Sequence, residues 1–325
     1  MPPKPVTKSS STGSLSVIAP PNKNNQATKL PSTTTTTGSL SVFKQSSEVL
    51  AASTKREEEK TNLLIQSEIT SFNYGNYHDK LKYIEDVLNL DAKACMIKLR
   101  VLNDVIVKDG ITSEIGDNII TQMTLSIYSN SDKNEVGLLL FQLLLVSLNR
   151  QLEPYGIELL SRLLELQVDK NNNVRELSAL LCKSFCEIIC PQSFRLLFPI
   201  IINGIEHENW KIKVGALAII KIIAPKMSKQ LSSYLPKLIP KVSDCILDSK
   251  KQVQTIALEA MNIACLSISN DDIRPLVPQL VSVIAKPEES LTTLNMLLET
   301  TFVATVDAPV LALIAPLLGK SLKNR

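Results

Sequence analysis

Aromatic residues make up only 4% of this 325-residue chain, with a single tryptophan, and it holds just 10 glycines and two histidines. Few glycines argue against a sheet protein of many tight turns. A phosphate-binding loop needs glycines where the backbone wraps an anion. The one hint, Gly319-Lys320-Ser321, would put the first glycine of such a loop at Ile314, in an apolar run with no strand before it. His78 and His207 fall in turn-like text with no ordered acid–base partner nearby, so nothing points to Ser-His or Cys-His catalysis. The longest apolar stretch, Leu138 to Leu148, is 11 residues and includes Gln142 and Ser147. That is too short to span a bilayer. The N-terminus lacks the apolar core of a signal peptide, so the six cysteines are expected as reduced thiols of a cytoplasmic protein. Three of them, Cys182, Cys186 and Cys190, recur every four residues along one helix face. Helical rise sets the outer two about 12 Å apart, too far for one tetrahedral ion, so they read as buried small apolar residues. No catalytic, cofactor-binding or metal-ligating residue is assigned.

What is abundant is leucine, isoleucine, valine and alanine, and hydrophobic residues reach 44%. The net charge of +3 is uneven: residues 1–60 hold eight Lys/Arg against four Glu, and the remainder 27 basic against 28 acidic residues. A near-neutral body can meet nucleic acid only through local patches. The first 50 residues carry 18 Ser or Thr, a run from Thr33 to Thr37, and the phrase TGSLSV at both Thr12–Val17 and Thr37–Val42. Such a segment buries too little apolar surface to offset its ordering entropy, so residues 1–60 are expected to be a disordered, basic, phosphorylatable tail.

From about residue 60 the pattern turns helical, with helices expected near 79–90, 92–108, 113–129, 134–150, 155–167, 172–189, 193–206, 210–223, 229–247, 250–267, 273–285, 289–304 and 308–321. A loop is expected at Ser71–His78. Pro199, Pro236, Pro278 and Pro316 stand 37, 42 and 38 residues apart, each in a similar apolar phrase. Proline is tolerated in the first turn of a helix, so each is expected near a helix start. The following helix repeats too: Val174–Ala179, Ile212–Leu217 and Val253–Leu258 align, with Ser178, Ala216 and Ala257 in register where two helices approach closely. Polar turns precede these helices at Asp169–Asn173, Glu206–Asn209 and Asp248–Lys251, supplying capping oxygens. A period near 40 residues with two helices per unit resembles HEAT-type repeats: an all-α solenoid over 61–325 whose units bury their apolar faces only by stacking. A solenoid offers a binding surface rather than a pocket for chemistry. Its basic residues Arg175, Lys211, Lys213, Lys226, Lys229, Lys237, Lys241, Lys250 and Lys251 are candidate contacts to a phosphate backbone, stacking into a ridge. Trp210 reads as a packing residue between units.

Several phrases carry a resemblance. Leu298-Glu299-Thr300-Thr301-Phe302-Val303-Ala304-Thr305-Val306-Asp307-Ala308-Pro309, then Leu311 to Leu318, are similar to a signature of the translation elongation factor 3 HEAT domain. So are Asn209–Val214, Leu235–Pro240, Asp248–Val253 and Ile284–Pro287, in the same order. A related module occurs in the ribosome-associated activator of the amino-acid-starvation kinase. The resemblance covers about 92–325, and its best-matching repeats lie within 152–325. It implies a ribosome-binding scaffold in translation elongation, with ribosomal RNA and ribosomal proteins as partners and no membrane. Family members are ABC-type ATPases, but no Walker motif or ABC signature occurs here, so no catalytic residue carries over. This chain is expected to be non-enzymatic, with ATP as cofactor only if cassettes follow in a longer parent. The alternative is a protein–protein adaptor, importin-like or like the kinase activator. The last expected helix, with Val310, Leu311, Leu313, Ile314, Leu317 and Leu318, is expected to expose its apolar face, as in a solenoid incomplete at its C-terminal end.

Overall fold

The computed structural model describes residues 38–129 and 133–323, and every regular element among them is helical. The chain divides into Met1–Arg56 and Glu57–Arg325. The tail expected at 1–60 lies outside the described residues as far as 37. Its remainder is helical, because Glu48, Ala51, Ala52 and the KREEEK run are good helix formers. This helix, α1, runs Gly38–Tyr74, and Ile65, Ile69 and Phe72 bury one face of it at helical spacing. The loop expected at Ser71–His78 therefore shrinks to two residues. Asn76 ends it by accepting a hydrogen bond from the Asp79 amide at 2.8 Å, which caps α2 (Tyr77–Leu88) and places His78 inside that helix.

The second unit continues with α3 (Ala92–Asp109), α4 (Glu114–Tyr128), α5 (Lys133–Leu148), α6 (Glu153–Leu166) and α7 (Asn172–Ile188). Then follow α8 (Phe194–Glu206), α9 (Trp210–Ile223), α10 (Ser228–Ile246), α11 (Lys251–Cys265), α12 (Val277–Ala285), α13 (Ser290–Glu299) and α14 (Ala308–Lys323). Within the repeats α6 packs on α7, α8 on α9 and α10 on α11, the two helices of each pair. From α2 to α10 the even-numbered helices also pack on one another, and from α3 to α11 the odd-numbered ones do. Two layers result, the arrangement of stacked helix pairs. The core is almost wholly aliphatic, and Ser178, Ala216 and Ala257 are fully buried in register. A Cβ on Gly204 of α8 would come within 2.7 Å of the Ala216 Cβ of α9, so these two positions must both be small. Three aromatics meet where α8 packs on α10: Tyr234 lies 5.1 Å from Phe194 and 4.5 Å from Phe198, ring to ring.

Three expectations are corrected. First, Pro199, Pro236 and Pro316 sit inside α8, α10 and α14 rather than near their starts; only Pro278 occupies a first turn. Pro199 is exposed and Pro236 and Pro316 are half-buried. Where a proline stands toward solvent, water satisfies the carbonyl it strands, and the helix bends instead of breaking. Second, α13 stops at Glu299, short of the expected 304. The β-branched text after it runs as an extended segment, because one carboxylate holds it: Asp272 Oδ2 accepts from the Val303 and Ala304 amides, both at 2.8 Å. Asn270, buried in the same loop, donates to the Thr305 carbonyl at 3.2 Å. Third, α14 does not expose its apolar face. Val310, Leu313, Ile314 and Leu317 are buried, because α14 reaches past the short α12 to pack on α10; Leu311 and Leu318 are exposed.

By length and composition, one described stretch, Lys133–Leu166, passes for a membrane span. It is broken where Asn149 takes φ 47°, and Leu138, Leu140, Phe141 and Leu144 within it are completely buried in the protein core. That is the pattern of a core helix.

Candidate nucleic-acid interface

Three successive helix pairs of the solenoid, α6/α7, α8/α9 and α10/α11, turn on the same local construction. The N-cap residues of α7 and α9, Asn171 and Asn209, accept from the amides two residues on, at 3.0 Å each. Two residues before each N-cap, a side chain accepts from the N-cap amide: Asp169 Oδ1 at 2.8 Å, His207 Nδ1 at 2.9 Å and, before α11, Asp248 Oδ1 at 2.9 Å. Four residues after each N-cap stands a donor. Arg175 gives both the Asp169 and Lys170 carbonyls hydrogen bonds at 2.9 Å, and Gln254 gives the Asp248 carbonyl one at 2.6 Å. Lys213, in the equivalent place, reaches forward to the next unit and pairs with Asp248 at 2.8 Å, the two side chains only 22% and 14% exposed. His207 is thereby a capping acceptor, not a free base.

These bonds sort the nine candidate contacts. Arg175 and Lys213 are committed to the turns. Lys241 of α10 pairs with Glu206 at the end of α8, and Lys226 donates to the Glu187 carbonyl at 2.5 Å across to α7. Lys211, Lys237, Lys250 and Lys251 are exposed and have no ion pair among the described residues. Lys226 and Lys229 are not part of the turn edge at all. They follow α9, whose 14 residues carry the chain about 20 Å to the opposite edge. The stacked ridge is thus a shorter strip: Lys211, Lys250 and Lys251, joined by Lys170, an exposed turn residue that sequence reasoning passed over. Lys170, Lys211 and Lys251 follow one another at 41 and 40 residues, and that spacing was the available signal. Trp210 is half-buried against the core with Lys211 Nζ 5.9 Å above its ring, which makes it a packing residue first.

The cysteines fall into the core as expected: Cys182 and Cys186 are buried in α7, whereas Cys190 lies past the helix end, half-buried. Among the described residues no group of His, Cys, Asp or Glu could hold a metal ion. The exposed turn lysines, spaced by the repeat beside exposed Glu206 and Glu208, are the candidate for binding chemistry.

Two family profiles match the chain. One, described as the EF3 N-terminal HEAT repeat, covers residues 100–261; the other, the elongation factor 3/GNC1 HEAT repeat, covers 289–325. Both are helical repeats, and the strip lies within the first. Among curated relatives, elongation factor 3 of Phytophthora infestans is 35% identical over 173 residues, 53% of this chain and 17% of that protein. Elongation factor 3 of Gonapodya prolifera is 32% identical over 178 residues, 54% and 16%. The stalled ribosome sensor GCN1 of Homo sapiens is 31% identical over 197 residues, 60% and 7%. The matched region therefore spans no more than about a sixth of these relatives' length. Among solved structures, the MAST/Orbit N-terminal domain aligns with 66% of this chain and 96% of its own at 17% identity and a TM-score of 0.45.

Proposed function

We propose, for a chain whose residues 100–261 and 289–325 belong to the elongation factor 3 HEAT-repeat families, that it is a ribosome-binding scaffold of the cytoplasm acting in translation elongation. The relatives' names support this: one group is elongation factors, the other a sensor of stalled ribosomes. The observation that carries it is the strip of Lys170, Lys211, Lys250 and Lys251, exposed and unpaired among the described residues along one edge of the stack. A line of lysines repeated at the solenoid period suits a phosphate backbone, where each cation releases a condensed counterion on contact. It asks for no chemistry of the chain itself, in keeping with a scaffold, and ribosomal proteins are further partners in the same setting.

The test is co-sedimentation of the full chain with purified ribosomes across a salt series. Lys170→Glu/Lys211→Glu/Lys250→Glu/Lys251→Glu is the variant. Lys213 stays untouched, because its loss would leave Asp248 half-buried without its cation. The parent is expected to pellet with ribosomes in a salt-sensitive way. The variant should bind more weakly, with a salt slope shallower by about one for each lysine–phosphate pairing it can no longer make. A variant that pellets like the parent at every salt concentration removes the strip from the interface. A parent that stays in the supernatant at low salt points instead to a protein–protein adaptor.

A further inference from the structure

The edge opposite the lysine strip carries a second cationic feature. Where α10 begins, the loop between α11 and α12 folds against it and leaves a cavity of 370 Å³. Its polar lining is Ser228, Lys229 and Ser232 from α10, Ser267 and Ser269 from the loop, and Arg274 just beyond it. Lys229 has no ion pair among the described residues. Arg274 pairs with Asp271 at 3.2 Å, but both side chains are largely in solvent, 56% and 84% exposed. Such a pair is worth little and yields readily to a stronger anion. Asp272, the other nearby carboxylate, is turned away: its Oδ2 holds the Val303 and Ala304 amides.

We propose that this cavity holds a phosphodiester group of an RNA backbone, as a second anchor of the nucleic acid assigned above to the lysine strip. Two cations from different segments flank it, hydroxyls line it, and the positive end of α10 adds to their field. The volume accommodates a phosphate with its neighbouring sugar; the hydroxyls and cations supply donors to the phosphate, and Leu266 and Ile268 complete the lining. The 15 residues of α11 separate this site from Lys250 and Lys251 by about 22 Å. One RNA thus meets the solenoid at both edges. This inference rests on the proposed RNA-binding reading.

Fluorescence anisotropy of the full chain with a labelled 20-nucleotide single-stranded RNA separates the two. Lys229→Gln/Arg274→Gln is expected to weaken binding about tenfold and to reduce the salt slope by about 0.7 for each phosphate left unneutralised. Combining it with the four-lysine variant should multiply the two effects, because the sites are well separated. If the pocket variant binds like the parent while the strip variant does not, the pocket proposal is overturned and the strip stands. If only the pocket variant loses affinity, the strip fails and the pocket stands. A pocket variant that loses affinity for a phosphoserine peptide but none for RNA also overturns it, marking a phosphopeptide site. Circular dichroism should show both variants equally helical, since all six substituted side chains are exposed.

Discussion

Burial decides the chemistry of the thiols. It pushes Cys182 and Cys265 up to about 12 and raises Cys95, Cys186 and Cys245 as well, while a hydrogen bond with Glu153 is the main cause at Cys190. A thiol at about 12 is thiolate to about one part in ten thousand at pH 8. Iodoacetamide at pH 8 is therefore expected to leave Cys182 and Cys265 unmodified in the native protein and to label all six cysteines in guanidinium, as read by mass spectrometry. Labelling of native Cys265 at the rate of a free thiol would contradict its burial. Between units, the hydrogen bond from Lys213 and then that from the Lys250 amide hold Asp248 below the usual carboxylate range. A depressed carboxylate contributes stability that is complete above its unfolded value near pH 4 and is lost as pH falls through the folded one. The same contact raises Lys213, so its share persists below about pH 10 and goes at more alkaline pH. Asp248→Asn should cost about 1–2 kcal/mol at neutral pH. Its denaturation midpoint should then change less than the parent's between pH 5 and pH 2; an unchanged slope on that acid limb would show the pair contributes nothing.

At the scale of elements, the segment between α13 and α14 shows how one residue fixes a stretch that has no repeat pattern of its own. Phe302 and Val303 stand exposed on it, at 39% and 86%, yet their backbone is tied to the preceding loop by Asp272 and Asn270. Asp272→Ala strands two amides and should free the segment, so chymotrypsin is expected to cut after Phe302 many times faster than in the parent. Asp272→Asn keeps one acceptor oxygen and should restore much of the protection. Equal cleavage of parent and Ala variant would mean the clamp does not hold in solution. The turn construction is the converse case, written into the sequence three times: Asp169/Arg175, His207/Lys213 and Asp248/Gln254 keep a six-residue spacing. Their cations looked like contacts because a repeated basic residue on a turn has the same pattern whether it faces phosphate or its own carbonyls.

For the molecule as a whole, a solenoid couples each unit mainly to its neighbours, so a surface repeated along it acts as a sum of small local contacts. Under the proposed reading, a weak strip on a near-neutral body would give binding that grows with the number of units engaged and falls steeply with salt. From α2 onward the helices, apart from the end of α13, together with their period of about 40 residues and the small residues where pairs approach, were legible in the amino-acid order. They follow from apolar spacing, turn chemistry and side-chain volume, which are local properties. Val174, Ile212 and Val253 align from one repeat to the next, and all three are buried. The sequence phrases also carried the family, which the matched profiles bear out. Which cations remain free was settled only by packing across the stack. Lys213 meets Asp248 35 residues away, Lys226 meets Glu187 39 residues away, and Lys241 meets Glu206 on the next helix of its layer. Likewise α14 buries its face because α12 is short enough to let it reach α10, and the Lys229–Arg274 cavity closes only when a loop folds against a helix start. Each depends on distances between units, which one-dimensional periodicity does not encode.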